Sequence, residues 1–296
     1  MSISFLKHYI QLLCVFWGIF ILSACSTITK NVPVDKASAQ GSISVIDDLP
    51  TNLPPGVKQT HGSPFVIINA DSTSELAASL IVPVPLISDV IINKSKSKTA
   101  LKNQRQYLQI KVYQLLLSKV QEHPSFVAEG GKFSLYPMVF MSEGSDDVYR
   151  LSLMFQVTNK NWMGRYYYHL PTSIPTADLG SPSEQELKVF EAELEVGAEK
   201  LMTLIDQMLN DELAATGQLA TVGSLYIVGG KIGGMVSPEI YVVRNAEILA
   251  EKNNDVILRL PGDLKADANA GGLAFGVHYF NRDQLHTFEK QEKLEK

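Results

Sequence analysis

The chain has 296 residues, 45% of them hydrophobic, and a formal net charge of −5 at pH 7. That balance argues against a nucleic-acid binder, which needs a basic face, and against a polybasic membrane-surface mode. The apolar content suffices for a packed core and excludes a disordered chain, and the length fits one large or two medium domains.

Residues 1–24 have three parts. Met1 to Tyr9 is short and carries the cation Lys7, Ile10 to Leu22 is almost wholly apolar, and the small residues Ser23 and Ala24 follow. This is the layout of a secretory signal peptide, with a core too short for a comfortable membrane span. Its end, Leu22-Ser23-Ala24-Cys25, resembles the lipobox of bacterial lipoproteins. The resemblance implies cleavage after Ala24, a diacylglycerol on the Cys25 sulfur and an acyl chain, such as palmitate, on the new amino group. A thiolate forms that thioether readily, and two or three acyl chains exceed what stable anchoring needs. Ser26, where an Asp would favour the inner membrane, implies onward sorting to the outer membrane, facing the periplasm. Loss of Lys7 with the signal moves the net charge from −5 to −6. Cys14 leaves with the signal and Cys25 is acylated, so the two cysteines leave no disulfide and no free thiol.

Cys25 to Val57 reads as the lipidated end and a tether, rich in polar residues with Pro33, Pro50, Pro54 and Pro55. Ser63 to Asn69 reads as a short buried strand, and Ser72 with Glu75 as a capping box. Leu76 to Ile92 is nearly of membrane length, but Pro83, Pro85 and Asp89 interrupt it. A buried helix, elbow and second apolar piece fit it better than a segment dipping into a bilayer. Leu101 to Glu122 has helical spacing, with Pro124 just past its end.

Beyond Gly130-Gly131 the period changes to two. Phe133 to Ser142, Val148 to Thr158 and Trp162 to Leu170 read as a three-stranded antiparallel meander, with Pro137 marking an edge or a bulge. Tyr149, Leu151, Leu153 and Phe155 share a face, opposite Arg150, Ser152, Met154 and Gln156. Trp162, Tyr166 and Tyr168 share another, opposite Arg165, Tyr167 and His169. Ser183 and Glu186 form a second capping box, opening a helix that runs to about Ala215 along a stripe from Leu187 to Leu209. From Thr216, glycine pairs punctuate short β runs at 224–228, 239–249, 255–260 and 273–280.

The expected fold is therefore α+β: the antiparallel three-stranded meander flanked by helices, followed by a small all-β C-terminal module. Its divisions are the signal peptide (1–24), tether (25–57), α+β domain (58–215), β module (216–283) and charged tail (284–296).

Catalytic spacing is mostly missing. Gly-Ser pairs such as Gly144-Ser145 lack the closing glycine of a nucleophile elbow, and there is no His-Glu-x-x-His. Gly229 to Gly234 lacks the ending of a phosphate loop and reads as a hairpin. His278, Asp283 and His286 match no standard metal spacing, and Glu143, Asp146 and Asp147 read as a turn rather than a calcium loop. No cofactor or metal is expected. Trp162, Tyr166 and Tyr168 are the one constellation to test as a ligand or partner surface. The leading expectation is a non-enzymatic accessory or scaffold subunit of an envelope complex, held to the lipid bilayer through Cys25 and meeting an envelope protein partner, not nucleic acid. A carrier of a lipid or other hydrophobic ligand, working through Leu76–Ile92 and Tyr166, is the alternative. An envelope hydrolase dependent on His169 or His278 is the third.

Overall fold

A computed structural model describes residues 42–48, 64–68, 107–120, 122–144, 146–159, 162–210, 212, 216–227, 230–232, 235–237, 242–260 and 275–291. Ala24, Cys25, the Ser72–Glu75 box and the Leu76–Ile92 run lie outside the described residues.

The N-terminal elements are β1 (Ile43–Val45), β2 (Phe65–Ile68), a 3₁₀ turn at Tyr107–Gln109, α1 (Val112–Val120) and β3 (Phe126–Val127). Three long strands follow: β4 (Phe133–Glu143), β5 (Val148–Asn159) and β6 (Trp162–Pro175). Then come α2 (Glu184–Leu209), β7 (Leu219–Gly223), the antiparallel pair of β8 (Gly230–Ile232) and β9 (Met235–Ser237), and β10 (Val242–Lys252). The chain closes with β11 (Asp255–Leu260), β12 (Gly276–Asn281), a 3₁₀ turn at Arg282–Gln284, and β13 (Thr287–Lys290) within the charged C-terminal stretch.

The expected α+β arrangement is overturned. Among the described residues, eleven strands join one mixed sheet in the order β13-β7-β10-β11-β12-β6-β5-β4-β1-β3, with β2 also on β4, and there are two α-helices. The meander exists, since β4–β5 and β5–β6 pair antiparallel, but it is the middle of something larger. The C-terminal strands form no separate module. β12 pairs in parallel with β6, matching Val277 to Tyr166, His278 to Tyr167 and Tyr279 to Tyr168, and β11, β10, β7 and β13 continue outward from it. Alternation within a strand reveals its two faces but not its partner, so a parallel neighbour far along the chain leaves no local signal.

Pro137 has its explanation in the register. β5 pairs along the whole of β4, while the other side is shared by β1 against 133–135 and β2 against 139–142. Pro137 falls between these two partners, where a missing N–H breaks no ladder bond.

The larger core lies between α2 and one face of the sheet. Ser183 caps the helix: its hydroxyl accepts from the Glu186 N–H, and the Glu186 carboxylate accepts in return from the Ser183 N–H. Phe190, Leu194, Ala198, Leu201 and Ile205 pack on Leu153, Phe155, Tyr166, Tyr168 and Leu170, all buried. Gly197 sets the approach, because a Cβ there would lie 2.4 Å from the Tyr168 ring. A second cluster, including Val222, Ile248, Leu258, Phe280 and Leu285, belongs to the C-terminal strands. Both faces of the central strands are thus covered. Met138, Phe140 and Met154 are buried on the face turned away from α2, and that face also carries the polar residues of the site.

Candidate functional site

The site begins at an irregularity in β6. Arg150 pairs with Ser173 and Ser152 with His169, so Leu170, Pro171 and Thr172 lie opposite the single residue Leu151. Extra residues on one strand leave backbone groups without ladder partners and bend the strand. Here those groups are taken up by other elements. The Thr172 N–H donates to Glu193 of α2 at 3.1 Å, and the Thr172 hydroxyl donates to the same carboxylate at 2.6 Å. From the opposite face, the Tyr226 hydroxyl donates to the Leu170 carbonyl at 3.1 Å. Gln284 Nε2 donates to the carbonyls of His169 and Leu170 at 3.1 and 2.9 Å. Pro171 has no N–H to satisfy.

Beside this bulge lies a cleft of about 460 Å³, lined by Arg150, Ser173, Tyr226, Asn281, Gln284 and His286 among others. A smaller pocket of about 10 Å³ shares Arg150 and Tyr226 with it and reaches Ser152, Tyr167 and His278; that is room for one water. Arg150 sits at the junction. Its guanidinium donates to both oxygens of Asp146, at 2.8 and 2.6 Å, and lies 5.9 Å from the Tyr226 ring centre. The hydrogen bond from Arg150 holds the Asp146 carboxyl below its ordinary value.

Beneath the pocket runs a buried polar chain. Ser152 Oγ is 2.7 Å from Nδ1 of His169, and Nε2 of His169 is 3.0 Å from Nδ1 of His278. The rings are clamped by stacking: His169 on Phe280 at 4.1 Å, and His278 on Tyr167 at 4.3 Å. Burial pushes His169 well below the ordinary histidine value, and His278 beside it pushes the same way. His169 is therefore neutral at pH 7, and a hydrogen bond between the two rings needs one facing nitrogen as donor and the other as acceptor. Further along the face, Arg165 is 2% exposed. Its Nε donates to Gln156 at 2.9 Å, and its guanidinium lies over Phe275 at 4.4 Å. Burial raises the Tyr167 hydroxyl to about 12, with Arg165 acting in the opposite direction.

Cys25 and Ala24 lie outside the described residues. Tyr166 and Tyr168 are buried beneath α2, and Trp162 is half-buried, edge-on to Phe133 at 6.0 Å. Asp147, at φ 56°, takes part in the turn between β4 and β5. His278, Asp283 and His286 are not gathered: His278 is buried against His169, Asp283 accepts from Asn254, and His286 is exposed beside Thr287. No group of three or more potential metal ligands occurs among the described residues. No helix among them is long and apolar enough to cross a membrane.

Sequence reasoning placed Ser152, Gln156, Arg165 and His169 on shared strand faces but did not join them to His278, Tyr226 or Gln284. The signal was present in part, as polar residues recurring at period two opposite an aromatic face that the next helix would cover. Comparison with protein-family models, with curated proteins and with solved structures finds no match.

Proposed function

We propose that this chain is a lipid-anchored protein of the outer membrane, facing the periplasm, that serves as a non-enzymatic accessory subunit of an envelope complex. It receives its partner in the cleft at the β6 bulge. The carrying observation is that the cleft is built in advance. Glu193, Tyr226 and Gln284, from three separate parts of the chain, satisfy the backbone groups that the bulge sets free. Pre-organisation of this kind lowers the ordering cost of association. The lipobox supports the anchor, and the net charge of −5 fits a protein partner better than nucleic acid.

Native mass spectrometry of the protein, extracted from its own membrane in mild detergent, tests this. The expected spectrum carries the acyl mass on Cys25 and one protein partner at fixed stoichiometry. Ser173→Trp, which fills the exposed cleft, should remove the partner and leave the fold intact. A bare acylated monomer, or a partner indifferent to Ser173→Trp, would contradict the reading.

A hydrolytic reading has one observation in its favour, the Ser152–His169–His278 chain at 2.7 and 3.0 Å. Access weighs against it. Ser152 is 6% exposed and the pocket above it holds about 10 Å³, so an ester or peptide carbonyl has no room to reach the hydroxyl. Turnover across ester, peptide and glycan panels that vanishes with Ser152→Ala would reverse this ranking.

A further inference from the structure

The histidine pair sits where the two halves of the sheet meet. His169 belongs to β6 and His278 to β12, strands whose described register joins them in parallel at three residue pairs. The same seam carries the wall of the cleft. Gln284, just beyond β12, holds the carbonyls of His169 and Leu170, and Tyr226 holds Leu170. A change in the charge of the imidazoles is therefore felt by the seam and by the recess built on it.

The surroundings of the pair disfavour a positive charge. On the side of β5, Arg150 lines the same small pocket as His278, with Asp146 already tied to that guanidinium. On β6, Arg165 lies two residues beyond Tyr167 on the same face. Tyr167 and Tyr226 present neutral aromatic rings, β4 presents Phe140 and Ser142, and β11 presents Leu258 opposite His278. In the 3₁₀ turn, Asp283 is bonded to Asn254 and Arg282 lies over Phe288. One added proton thus makes a buried cation, with the Arg150 guanidinium lining the same small pocket as His278. A second leaves both facing nitrogens protonated, and the 3.0 Å contact loses its acceptor.

We propose that the His169–His278 pair is an acid-sensitive latch: proton uptake at mildly acidic pH opens the β6–β12 seam and dismantles the cleft. The latch rests on the cleft being the working site, and it gives the accessory subunit a way to release its partner on acidification.

Hydrogen–deuterium exchange of the full acylated chain in mild detergent, at pH 7.5 and 5.5 with labelling times scaled for intrinsic exchange, tests the latch without any partner. Amides of 164–170 and 276–281 should lose protection by on the order of tenfold at the lower pH, while those of 133–143 hold. The double variant His169→Gln with His278→Asn offers amide groups in place of the imidazole nitrogens and does not titrate. Its seam should stay protected at pH 5.5. Equal protection of the wild-type seam at both pH values would overturn the proposal, as would a loss in the double variant matching that in wild type. Should the double variant fail to fold, imidazole proton resonances of the wild type decide. Titration of the pair in step with loss of seam protection supports the latch, and titration with the seam intact refutes it. Since no outcome depends on a partner, failure of the latch is distinct from failure of the accessory-subunit reading.

Discussion

The two faces of the central strands solve the same problem by different means. Toward α2, Leu153, Phe155, Tyr166, Tyr168 and Leu170 meet Phe190, Leu194 and Ile205, and stability comes from apolar area removed from water. Away from α2, Ser152, Gln156, Arg165, His169 and His278 are equally buried, but each must find a hydrogen-bond partner. The first face tolerates changes of shape poorly and changes of pH well. The second depends on charge state, and it is the face that opens into a cleft. Buried polar groups cost more to place than apolar ones, so this face is stable only while its hydrogen-bond network is complete.

The contrast can be broken from either side. The largest effect is expected from Phe190→Ala, which empties a fully packed position of the apolar face. It should cost about 3–5 kcal/mol, read as the shift of the denaturation midpoint, with little dependence on pH. Gln156→Leu comes next. It keeps volume but removes the acceptor for the Arg165 Nε, 2.9 Å away. A loss of about 2 kcal/mol is expected, because a hydrogen bond to a buried cation is removed.

Acid should act through the polar face alone. His169 has its folded-state affinity for protons lowered by burial, so between the unfolded histidine range and the lower folded value the unfolded chain binds more protons. The stability contributed by neutral His169 is therefore complete above about pH 7 and declines as the pH falls through about 6.5 and below. Denaturation midpoints measured from pH 8 to 5 should fall in wild type. They should fall less in His169→Gln/His278→Asn, and as much as in wild type in Phe190→Ala. The smallest effect belongs to Lys188→Ala. Its partner Glu184 is 2.6 Å away, but both side chains are largely in water, and no measurable change in midpoint is expected.

The apolar face could be read from the chain because its signals are local. Period-two alternation marked β4, β5 and β6, and Ser183 with Glu186 marked the start of α2. What could not be read was pairing between distant segments. Nothing near Val277 or His278 announces Tyr166 and Tyr167 as parallel neighbours, so the C-terminal strands read as a module of their own when they extend the same sheet. The end of β6 was missed for a related reason. Pro171 resembles a strand terminator, but the strand resumes past it to Pro175 because Glu193, Tyr226 and Gln284 hold the intervening bulge. Those three lie in a helix, a turn and a 3₁₀ turn, with no spacing that links them. The polar members of the site were visible as faces of strands, but only the register of β12 on β6 brings His278 against His169.

The most direct test is site-specific photocrosslinking of the full chain in the cells that produce it. One probe replaces Ser173, exposed at the cleft, and another replaces Val196, exposed on the outer side of α2. The account predicts one discrete protein adduct from position 173 at neutral pH, weakened at pH 5.5, and none from 196. An adduct from 196 with none from 173 would place the working surface on the helix face and contradict it.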